Sequence, residues 1–370
     1  MRGEPSDPAR TSSHVVRTLE ELDRLQDGWK AFSASARYPT QEFAWVRACA
    51  ATLAAPRELH VVVVADESGP VAVAPLVRRR RGVVRLELLG VEELREPADF
   101  AWASDFALDV LAETLVATGL PLDLRRLPAD SPTIAALERA SAGSGALVRR
   151  PAHPYPRVHL DAGWSEPEKR LSSSKRSLLR RMRRRAEQIG KVTWEALTPV
   201  PAAVSPLIDE AFRVEAASWK GREGTALEND PLRSAFYRQY AIAAAEEGIL
   251  RMCFLRIDGR AAAMQLVVEH RGALWIFKTG YDDQFKSCSP GSLLIAELAS
   301  HAAARGLEAY EFLGKVEEWT RMWTEDQVDC VSLRSYPSAF RGAMAFGVDA
   351  VGFVALRFSE RFRRRGVVPA

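Results

Sequence analysis

The sequence predicts an α/β protein with two equivalent halves in tandem, each a mixed, mostly antiparallel sheet flanked by helices. The first observation is a pair of apolar hairpins, one near residue 60 and the other near residue 250. The second is that the same order of elements surrounds both hairpins, at an offset of about 190 residues. The third is the length of 370 residues with 47% apolar residues, which is enough material for two buried cores.

The first half begins with a strand near "HVVRTL" and helices near 20–34 and 41–53. Its hairpin, "ELHVVVVAD" and "VAVAPLVRR", is predicted to turn at Glu67-Ser68-Gly69-Pro70, because glycine and proline mark turns. The remaining elements are the strand "VRLELLG", a helix near 103–117, the strand "LDLRRLP", a helix near 132–141 and a strand ending in "YPRVHLD".

The second half repeats this plan without sequence identity. It begins with the strand "KVTWEAL" and helices near 203–219 and 231–247. The hairpin "ILRMCFLRID" and "RAAAMQLVVEH" turns at Asp258-Gly259, a favoured pair for a tight turn. The third strand "ALWIFKTGYD", a helix at 291–305 and the strands "LEAYEFLG" and "VDCVSLRSYP" complete the set.

Composition narrows the class of protein. The net charge of +3 is small for this length and does not by itself predict a nucleic-acid partner. The four cysteines lack the spacing of a zinc site or a disulfide framework, which favours a reducing cytoplasm and no metal. The polar start "MRGEPSDPARTSS" lacks the apolar stretch of a secretory signal, and no run reaches the roughly 18 apolar residues of a membrane span. We therefore expect a cytoplasmic protein without a transmembrane segment.

The segment "KTGYDDQFKSCSPGSLL" (278–294) joins an aromatic strand to a helix and has the features of an anion site. Ser289 can cap a backbone N–H, and Pro290 at the first helical position loses no hydrogen bond. Gly291 lets a ligand approach the backbone, where free amides and the helix dipole favour phosphate. The simpler interpretation is that Ser-Pro-Gly only starts a helix.

Three residues are candidates for proton transfer. Tyr281 and Asp282 lie at the end of a central strand, where they can line a cleft if that strand splays from the next one. Asp282 can act as a base if burial raises its pKa, and Tyr281 can donate to a leaving thiolate. Glu311 is the competing base, and strand alternation points it away from Tyr310 and Phe312. A strand-end turn with an exposed carboxylate is the simpler interpretation of Tyr281-Asp282.

The motif "EAASWKG" closes the first helix of the second half. Glu215 and Trp219 are four residues apart and share a helix face, while Lys220 precedes the terminating Gly221. Ordinary capping and core packing explain the motif equally well. Lys278 is a further cation that can face either an acyl donor or an anionic acceptor.

The stretch "SSSKRSLLRRMRRRAEQIG" (172–190) is an amphipathic basic helix with a serine cap. Seven of the eleven residues from 175 to 185 are Lys or Arg. Its charges can form the solvated face of a connecting helix, a patch for a polyanion such as RNA, lipid head groups or an acidic polysaccharide, or contacts to donor phosphates. Peripheral membrane contact, also through the C-terminal segment, is a weaker alternative.

The order of the elements, together with "EAASWKGREG" (215–224), "KTGYDDQFKSCSPGSLL" and "YEFLGKVEEWTRMW" (310–323), resembles the GNAT acyltransferase fold in tandem. The second half looks like the acetyltransferase domain of the CelD/BcsL family, and FemAB-type peptidyltransferases are more distant relatives. The resemblance implies acetyl-coenzyme A or another acyl-coenzyme A as co-substrate, with its pyrophosphate at the helix start. The implied donor-binding residues are Phe277, Lys278, Ser289, Pro290, Gly291, Ser292 and Leu293.

The resemblance also implies an acceptor side. Glu215, Trp219 and Lys220 would border the acceptor pocket, and the acceptor would be a sugar or polysaccharide precursor. In the first half the corresponding junction, "GVEELREPADFAWASDF" (90–106), is acidic and would repel a pyrophosphate. We therefore expect that half to contribute Asp99, Trp102 or Asp105 to an acceptor cleft between the halves.

These interpretations divide the chain and predict its activity. We expect a disordered segment at 1–13, a degenerate GNAT-like domain at 14–161, a basic connecting helix at 162–190, a donor-binding GNAT-like domain at 191–340, and a C-terminal helix with a basic tail at 341–370. The predicted reaction is direct transfer of an acyl group, most simply acetyl, to an amine or hydroxyl in a ternary complex. The alternatives are a FemAB-like transferase that uses aminoacyl-tRNA and a non-catalytic accessory protein of polysaccharide or envelope assembly.

Overall fold

The computed structural model describes residues 11–33, 36–80, 82–218, 224 and 227–351. The first half contains the predicted elements, and the helix predicted near 20–34 is split in two. Its strands are β1 (Ser12–Val16), β2 (Glu58–Leu59), β3 (Val61–Asp66), β4 (Gly69–Ala74), β5 (Leu76–Arg79), β6 (Arg85–Leu88), β7 (Ala101–Trp102), β8 (Leu122–Pro128) and β9 (Gly145–His159). Its helices are α1 (Leu19–Asp23), α2 (Gln26–Ser33), α3 (Phe43–Thr52), α4 (Val91–Leu94), α5 (Asp105–Ala117) and α6 (Pro132–Ser141).

The second half follows two helices, α7 (Pro167–Arg170) and α8 (Ser173–Ile189). Its strands are β10 (Val192–Leu197), β11 (Leu250–Ile257), β12 (Arg260–His270), β13 (Ala273–Tyr281), β14 (Ala309–Glu311) and β15 (Gln327–Pro337). Its helices are α9 (Pro201–Ala216), α10 (Pro231–Glu246) and α11 (Pro290–Ala304), and residues 340–351 are also helical. Among the described residues, no helix is long and apolar enough to cross a membrane.

One sheet of eleven strands runs through both halves, in the order β10-β11-β12-β13-β14-β9-β15-β8-β6-β5-β2. At the centre of this sheet, the two halves of the chain exchange strands. The last strand of the first half, β9, pairs with β14 of the second half, and β15 of the second half lies between β9 and β8. Most neighbours in this sheet are antiparallel, and β13–β14 and β6–β8 are parallel pairs. Each half therefore completes the sheet of the other.

The hairpin of the first half belongs to a second sheet, of order β1-β3-β4-β7. Its strands continue into the large sheet beyond breaks at His60 and Pro75. Proline lacks the N–H that a central strand needs, so a break at Pro75 is expected.

The hairpin turns agree with the sequence in one case and differ in the other. Asp258 and Gly259 both have positive φ, 49° and 79°, as a tight two-residue hairpin turn requires. The predicted first turn at Glu67–Pro70 is too long, because Gly69 and Pro70 already belong to β4. The turn is confined to Glu67 and Ser68, where Oδ1 of Asp66 accepts a hydrogen bond from the Ser68 N–H at 2.7 Å. At the N-terminus, β1 begins at Ser12, inside the segment predicted to be disordered.

Three hydrophobic cores hold the two sheets and their helices together. One core lies on a single face of the large sheet and is shared by both halves, with residues of α2 and α3 packed against α9 and α10. Trp45 of α3 contacts Phe236 and Tyr240 of α10 and Phe277 of β13, with ring centroids 4.7–4.8 Å apart. We call it the shared core. The opposite faces pack separately, against α8 and α11 in the second half and against α5 and α6 in the first.

Candidate functional site

The two parallel strands β13 and β14 separate after a short paired stretch. Ala273–Trp275 pair with Ala309–Glu311, and β13 then continues for six more residues. Leu313 and Gly314 have positive φ, 55° and 59°, so the chain turns away directly after β14. The predicted strand "LEAYEFLG" is therefore shorter than expected. We call the place where these two strands separate the splay; the cleft expected beside Tyr281 and Asp282 stays a prediction.

A β-bulge at Phe277 sets the direction of the side chains at the splay. Leu266 lies opposite Lys278 and Val267 lies opposite Ile276, which leaves Phe277 without an opposite residue. Phe277 is a buried member of the shared core, so only its backbone remains for a donor. Lys278 also lies on the shared-core side, and its Nζ is 4.8 Å from the ring centroid of Tyr237. Both side chains thus point away from α11, which packs on the opposite face.

The start of α11 differs in detail from the prediction. Ser289 adopts the left-handed conformation with φ 49°, and its side chain makes no capping hydrogen bond with the described residues. Its carbonyl oxygen instead accepts from the N–H groups of Ser292 at 3.0 Å and Leu293 at 3.4 Å. Pro290 and Leu293 are buried. Ser289, Gly291 and Ser292 are half-buried, and a Cβ built on Gly291 has no atom within 4 Å.

The basic helix α8 lies next to this junction. Arg185 donates to the carbonyl oxygen of Ser287 at 3.2 Å, and Arg183 forms an ion pair with Glu297 of α11 at 2.8 Å. Arg181 and Arg184 are exposed and have no ion-pair partner in the part of the chain that the structure describes. Ser172 caps the helix by accepting from the Lys175 N–H at 3.4 Å, as the sequence predicted. The positive charge of α8 is thus placed beside the first turn of α11.

Asp282 and Tyr281 have structural contacts. The carboxylate of Asp282 is buried, and it accepts from Arg260 at 2.6 Å and from the Gln284 N–H at 2.9 Å. It therefore caps the short 3-10 helix Asp283–Cys288. Tyr281 is half-buried and packs against the core around α11.

Glu311 is buried on the face opposite to Tyr310 and Phe312, as strand alternation predicted. Its Oε1 accepts from Nε of Arg157 at 2.6 Å, whereas Oε2 has no hydrogen-bond partner among the described residues. Burial raises the pKa of Glu311, and Arg157 opposes that rise. A single arginine thus neutralises this carboxylate.

Sequence reasoning missed Glu96 and Arg126 of the first half. Glu96 is 8% exposed, and burial raises its pKa to about 7 against the opposing effects of Arg126, Lys278 and the Gly314 N–H. Arg126 donates to the carbonyl oxygen of Gly314 at 2.9 Å and also to that of Arg95. Both residues therefore reach the end of β14, across the boundary between the halves. The sequence signals were weak: a glutamate in the aperiodic stretch "REPADF" and an arginine near the end of a strand.

The acceptor-side candidates lie in different places. Glu215 is buried, its Oε2 accepts from the Leu227 N–H at 3.1 Å, and its Cα is 3.0 Å from a Cβ built on Gly280 of β13. Trp219 and Lys220 lie outside the described residues. Glu215 is therefore close to the splay and also supports the segment after α9.

The three candidate residues from the first half have their contacts within that half. Oδ1 of Asp99 accepts from the hydroxyl of Thr133 at 2.7 Å and from the Phe100 N–H at 2.8 Å. Trp102 packs against the core around α5 and α6, and Asp105 is exposed at the first position of α5. No contact recorded for the described residues joins these three side chains to Lys278, Glu215 or the start of α11.

Metal ligands are not grouped in the described part of the chain, where no set of three or more His, Cys, Asp or Glu could hold an ion. The four cysteines are free thiols and buried. The carboxylates, cations and backbone amides near the splay suit proton transfer and charge stabilisation.

Comparison with known proteins agrees with this architecture. Residues 173–321 match the family model of the acetyltransferase (GNAT) domain. A comparison with curated protein sequences finds no match. The match covers β10 to β14 with α8 to α11, which are the elements that form the splay.

Several solved structures have a similar fold. One is the C-terminal domain (DUF2156) of a putative lysylphosphatidylglycerol synthetase from Agrobacterium fabrum, with a TM-score of 0.55, 13% identity and coverage of 90% of this chain and 96% of that chain. L-PGS from Bacillus licheniformis has a TM-score of 0.54 and 12% identity, with coverage of 86% and 94%. FemX has a TM-score of 0.54 and 10% identity, with coverage of 88% and 97%. At sequence identities this low, the similarity shows a shared fold.

The chain thus has a GNAT-like fold, and residues 173–321 match the model of the acetyltransferase (GNAT) domain. It is an enzyme of the acyltransferase class.

Proposed function

We propose that the protein transfers an acyl group, most simply acetyl, from acyl-coenzyme A to an amine or hydroxyl acceptor by direct attack in a ternary complex. The observation that carries this proposal is the open first turn of α11 beside the splay, within the segment that matches an acetyltransferase domain. A helix start with room at Gly291 suits a pyrophosphate, because the N–H of Gly291 and the helix dipole favour an anion. The nearby arginines of α8 add positive charge for the remaining phosphate.

The thioester would then enter the splay from the side of α11. There the bulged backbone at Phe277 would hold and polarise the thioester carbonyl, since a bulge releases backbone groups from the ladder. The acceptor would approach from the shared-core side, where Lys278 and Glu215 lie. No covalent enzyme intermediate is required.

For the acceptor we propose a sugar or polysaccharide precursor. This rests on the resemblance of the motifs in 215–224 and 310–323 to the CelD/BcsL family.

Calorimetric titration with acetyl-coenzyme A tests the donor site. We expect wild-type protein to bind with micromolar affinity and Gly291→Glu to lose at least tenfold, because a carboxylate at the helix start repels the pyrophosphate. Gly291→Ala is the matched control. A Cβ at this position meets no atom within 4 Å, so we expect both variants to fold and the alanine variant to keep most of the affinity.

Either of two results would contradict the donor proposal. One is a folded wild-type protein that binds neither acetyl-coenzyme A nor a longer acyl-coenzyme A. The other is equal binding by Gly291→Glu and Gly291→Ala, which would place the pyrophosphate elsewhere.

A second candidate function is transfer from aminoacyl-tRNA, and the exposed basic face of α8 favours it. Arg181 and Arg184 have no ion-pair partner in the described ranges, so they are available to a polyanion. Two results together would support this candidate. Wild-type protein would bind tRNA but not acyl-coenzyme A, and the double variant Arg181→Glu/Arg184→Glu would lose the tRNA binding. Arg17→Glu/Arg341→Glu is the control, because these two arginines are also exposed and free of ion pairs with described residues.

A further inference from the structure

A buried carboxylate from the first half lies at the splay of the second half. Glu96 follows α4 in an irregular segment, and the backbone N–H of Gly314 opposes the rise in the pKa of its carboxyl group. Its Oε2 is buried and has no hydrogen-bond partner among the residues that the structure describes. This buried carboxyl group therefore keeps an oxygen atom that can still accept a proton or a hydrogen bond.

Arg126 fixes this arrangement from a strained position. It has a positive φ of 56°, which is uncommon for a residue with a side chain. Its guanidinium donates to the carbonyl oxygen of Arg95, the residue before Glu96, and to that of Gly314 at 2.9 Å. Arg126 thus ties the segment that carries Glu96 to the end of β14.

The charged and titratable groups that face Glu96 come from three elements. Arg126 faces it from β8, Lys278 from β13 and Tyr237 from α10. Lys278 and Gly314 each lie three residues beyond the last pair of β13 and β14, Trp275 with Glu311. Glu96 therefore lies near Lys278 and Gly314, which follow the point where the two strands diverge.

A purely structural charge network is the competing interpretation. In such a network the buried polar atoms are expected to be satisfied, because an unpaired buried donor or acceptor is costly. Here Oε2 of Glu96 and Nε of Arg126 both lack a partner within the described residues. Glu96 differs from such a network in its place, because Arg126 ties the segment that carries it to the end of β14, where the strands diverge.

We propose that Glu96 is the general base that takes the proton from the acceptor's attacking amine or hydroxyl, and that Arg126 is the residue that positions it. This proposal rests on acyl transfer from acyl-coenzyme A as the proposed function. The acceptor's nitrogen or oxygen forms a bond to the thioester carbon, and its proton goes to Oε2 of Glu96. The C–S bond breaks with its electron pair on sulfur, and the proton then passes through solvent to the departing thiolate, which leaves as coenzyme A.

The pKa of Glu96 suits this role. Burial raises it to about 7, and a base is most effective when its pKa lies near the working pH. Activity should therefore rise as the pH increases through about 7, as Glu96 loses its proton.

The test compares Glu96→Gln with wild type. Release of the coenzyme A thiol from acetyl-coenzyme A is followed with glucosamine, glucose and hydroxylamine as acceptor probes. We expect Glu96→Gln to lose about 100-fold in rate while calorimetric binding of acetyl-coenzyme A is unchanged, because removal of a general base costs about 10²–10⁴-fold. The amide resembles the protonated acid that is already populated at neutral pH, so the variant should fold.

Two further variants keep the test specific. Glu96→Asp should retain part of the rate and show a pH profile displaced from that of wild type, which a merely structural side chain would not produce. Glu92→Gln, an exposed glutamate of the same segment with 53% of its side chain accessible, should match wild type.

The outcomes separate the two proposals. Failure of wild type to bind acetyl-coenzyme A would overturn the proposed donor and the role of Glu96 with it. Three results would overturn the assignment of Glu96 while the donor site stands. The first is normal donor binding without thiol release for any probe, and the second is an equal rate for wild type and Glu96→Gln. The third is a larger loss of rate in Glu311→Gln than in Glu96→Gln.

Discussion

Three carboxylates near the ends of β13 and β14 differ in what their oxygen atoms contact. Both oxygens of Asp282 are used, one by Arg260 and one by a backbone N–H. Glu311 and Glu96 each keep one buried oxygen without a partner among the described residues. Glu311 is held by an arginine on the neighbouring strand β9, whereas Glu96 lies beside the open edge of β13. The surroundings of each carboxylate, rather than its residue type, therefore distinguish Asp282, which caps a helix, from Glu96, the candidate base.

Asp99 gives a prediction at the residue scale. Burial raises its pKa to about 6, against hydrogen bonds from Ser131, Thr133 and the Phe100 N–H. Because this folded-state pKa lies above the unfolded value of about 3.9, its contribution to stability is present below about pH 4 and is lost as the pH rises through about 6. We expect Asp99→Asn to gain about 1–3 kcal/mol relative to wild type between pH 4 and pH 7.5.

Denaturant unfolding at several pH values measures this difference. Asp27→Asn, at an exposed position of α2, is the control and should show no such trend. A constant difference between Asp99→Asn and wild type across the pH range would show that Asp99 titrates alike in both states.

At the scale of elements, the exchange of β9 and β15 joins the two sheets. β15 pairs along most of its length with β9 and also with β8, so it lies in the interior of the large sheet. Val331 and Leu333 on this strand belong to the core around α5 and α6 of the first half. Strand β15, which comes late in the chain, thus completes the hydrophobic core of the first half.

Leu333→Ala tests this exchange. Leu333 is 1% exposed, so the cavity should cost about 2–5 kcal/mol in the free energy of unfolding. Because the sheet is continuous, we expect one unfolding transition at a lower denaturant concentration, detected alike by far-UV circular dichroism and by tryptophan fluorescence.

Ser332→Ala is the matched control on the neighbouring, half-buried position and should change stability little. Two separate transitions, of which only one moves in Leu333→Ala, would contradict a shared sheet.

At the scale of the whole molecule, the sequence predicted the order of elements because periodicity and turn residues act locally. The hairpin at Asp258-Gly259, the helix start at Pro290 and the opposite faces of Glu311 and Tyr310 all follow from such local rules. The strand exchange could not be predicted in this way, because it depends on pairing between residues more than 150 positions apart, such as Glu311 with Arg157. Glu96 was missed for the same reason, since only tertiary packing brings an aperiodic segment to the splay.

In the site that we propose, the two halves have unequal roles. The second half supplies the start of α11 and the open edge of β13, and the first half supplies Glu96 and Arg126. The account therefore places the donor and the base on opposite faces of one sheet, with the splay as the passage between them.

A crystal structure of the protein with bound coenzyme A tests this account most directly. We expect the pyrophosphate within hydrogen-bond distance, about 3 Å, of the backbone at Gly291, and the thiol sulfur in the splay, facing Glu96. A pyrophosphate bound away from the start of α11, or a sulfur atom outside the splay, would contradict it.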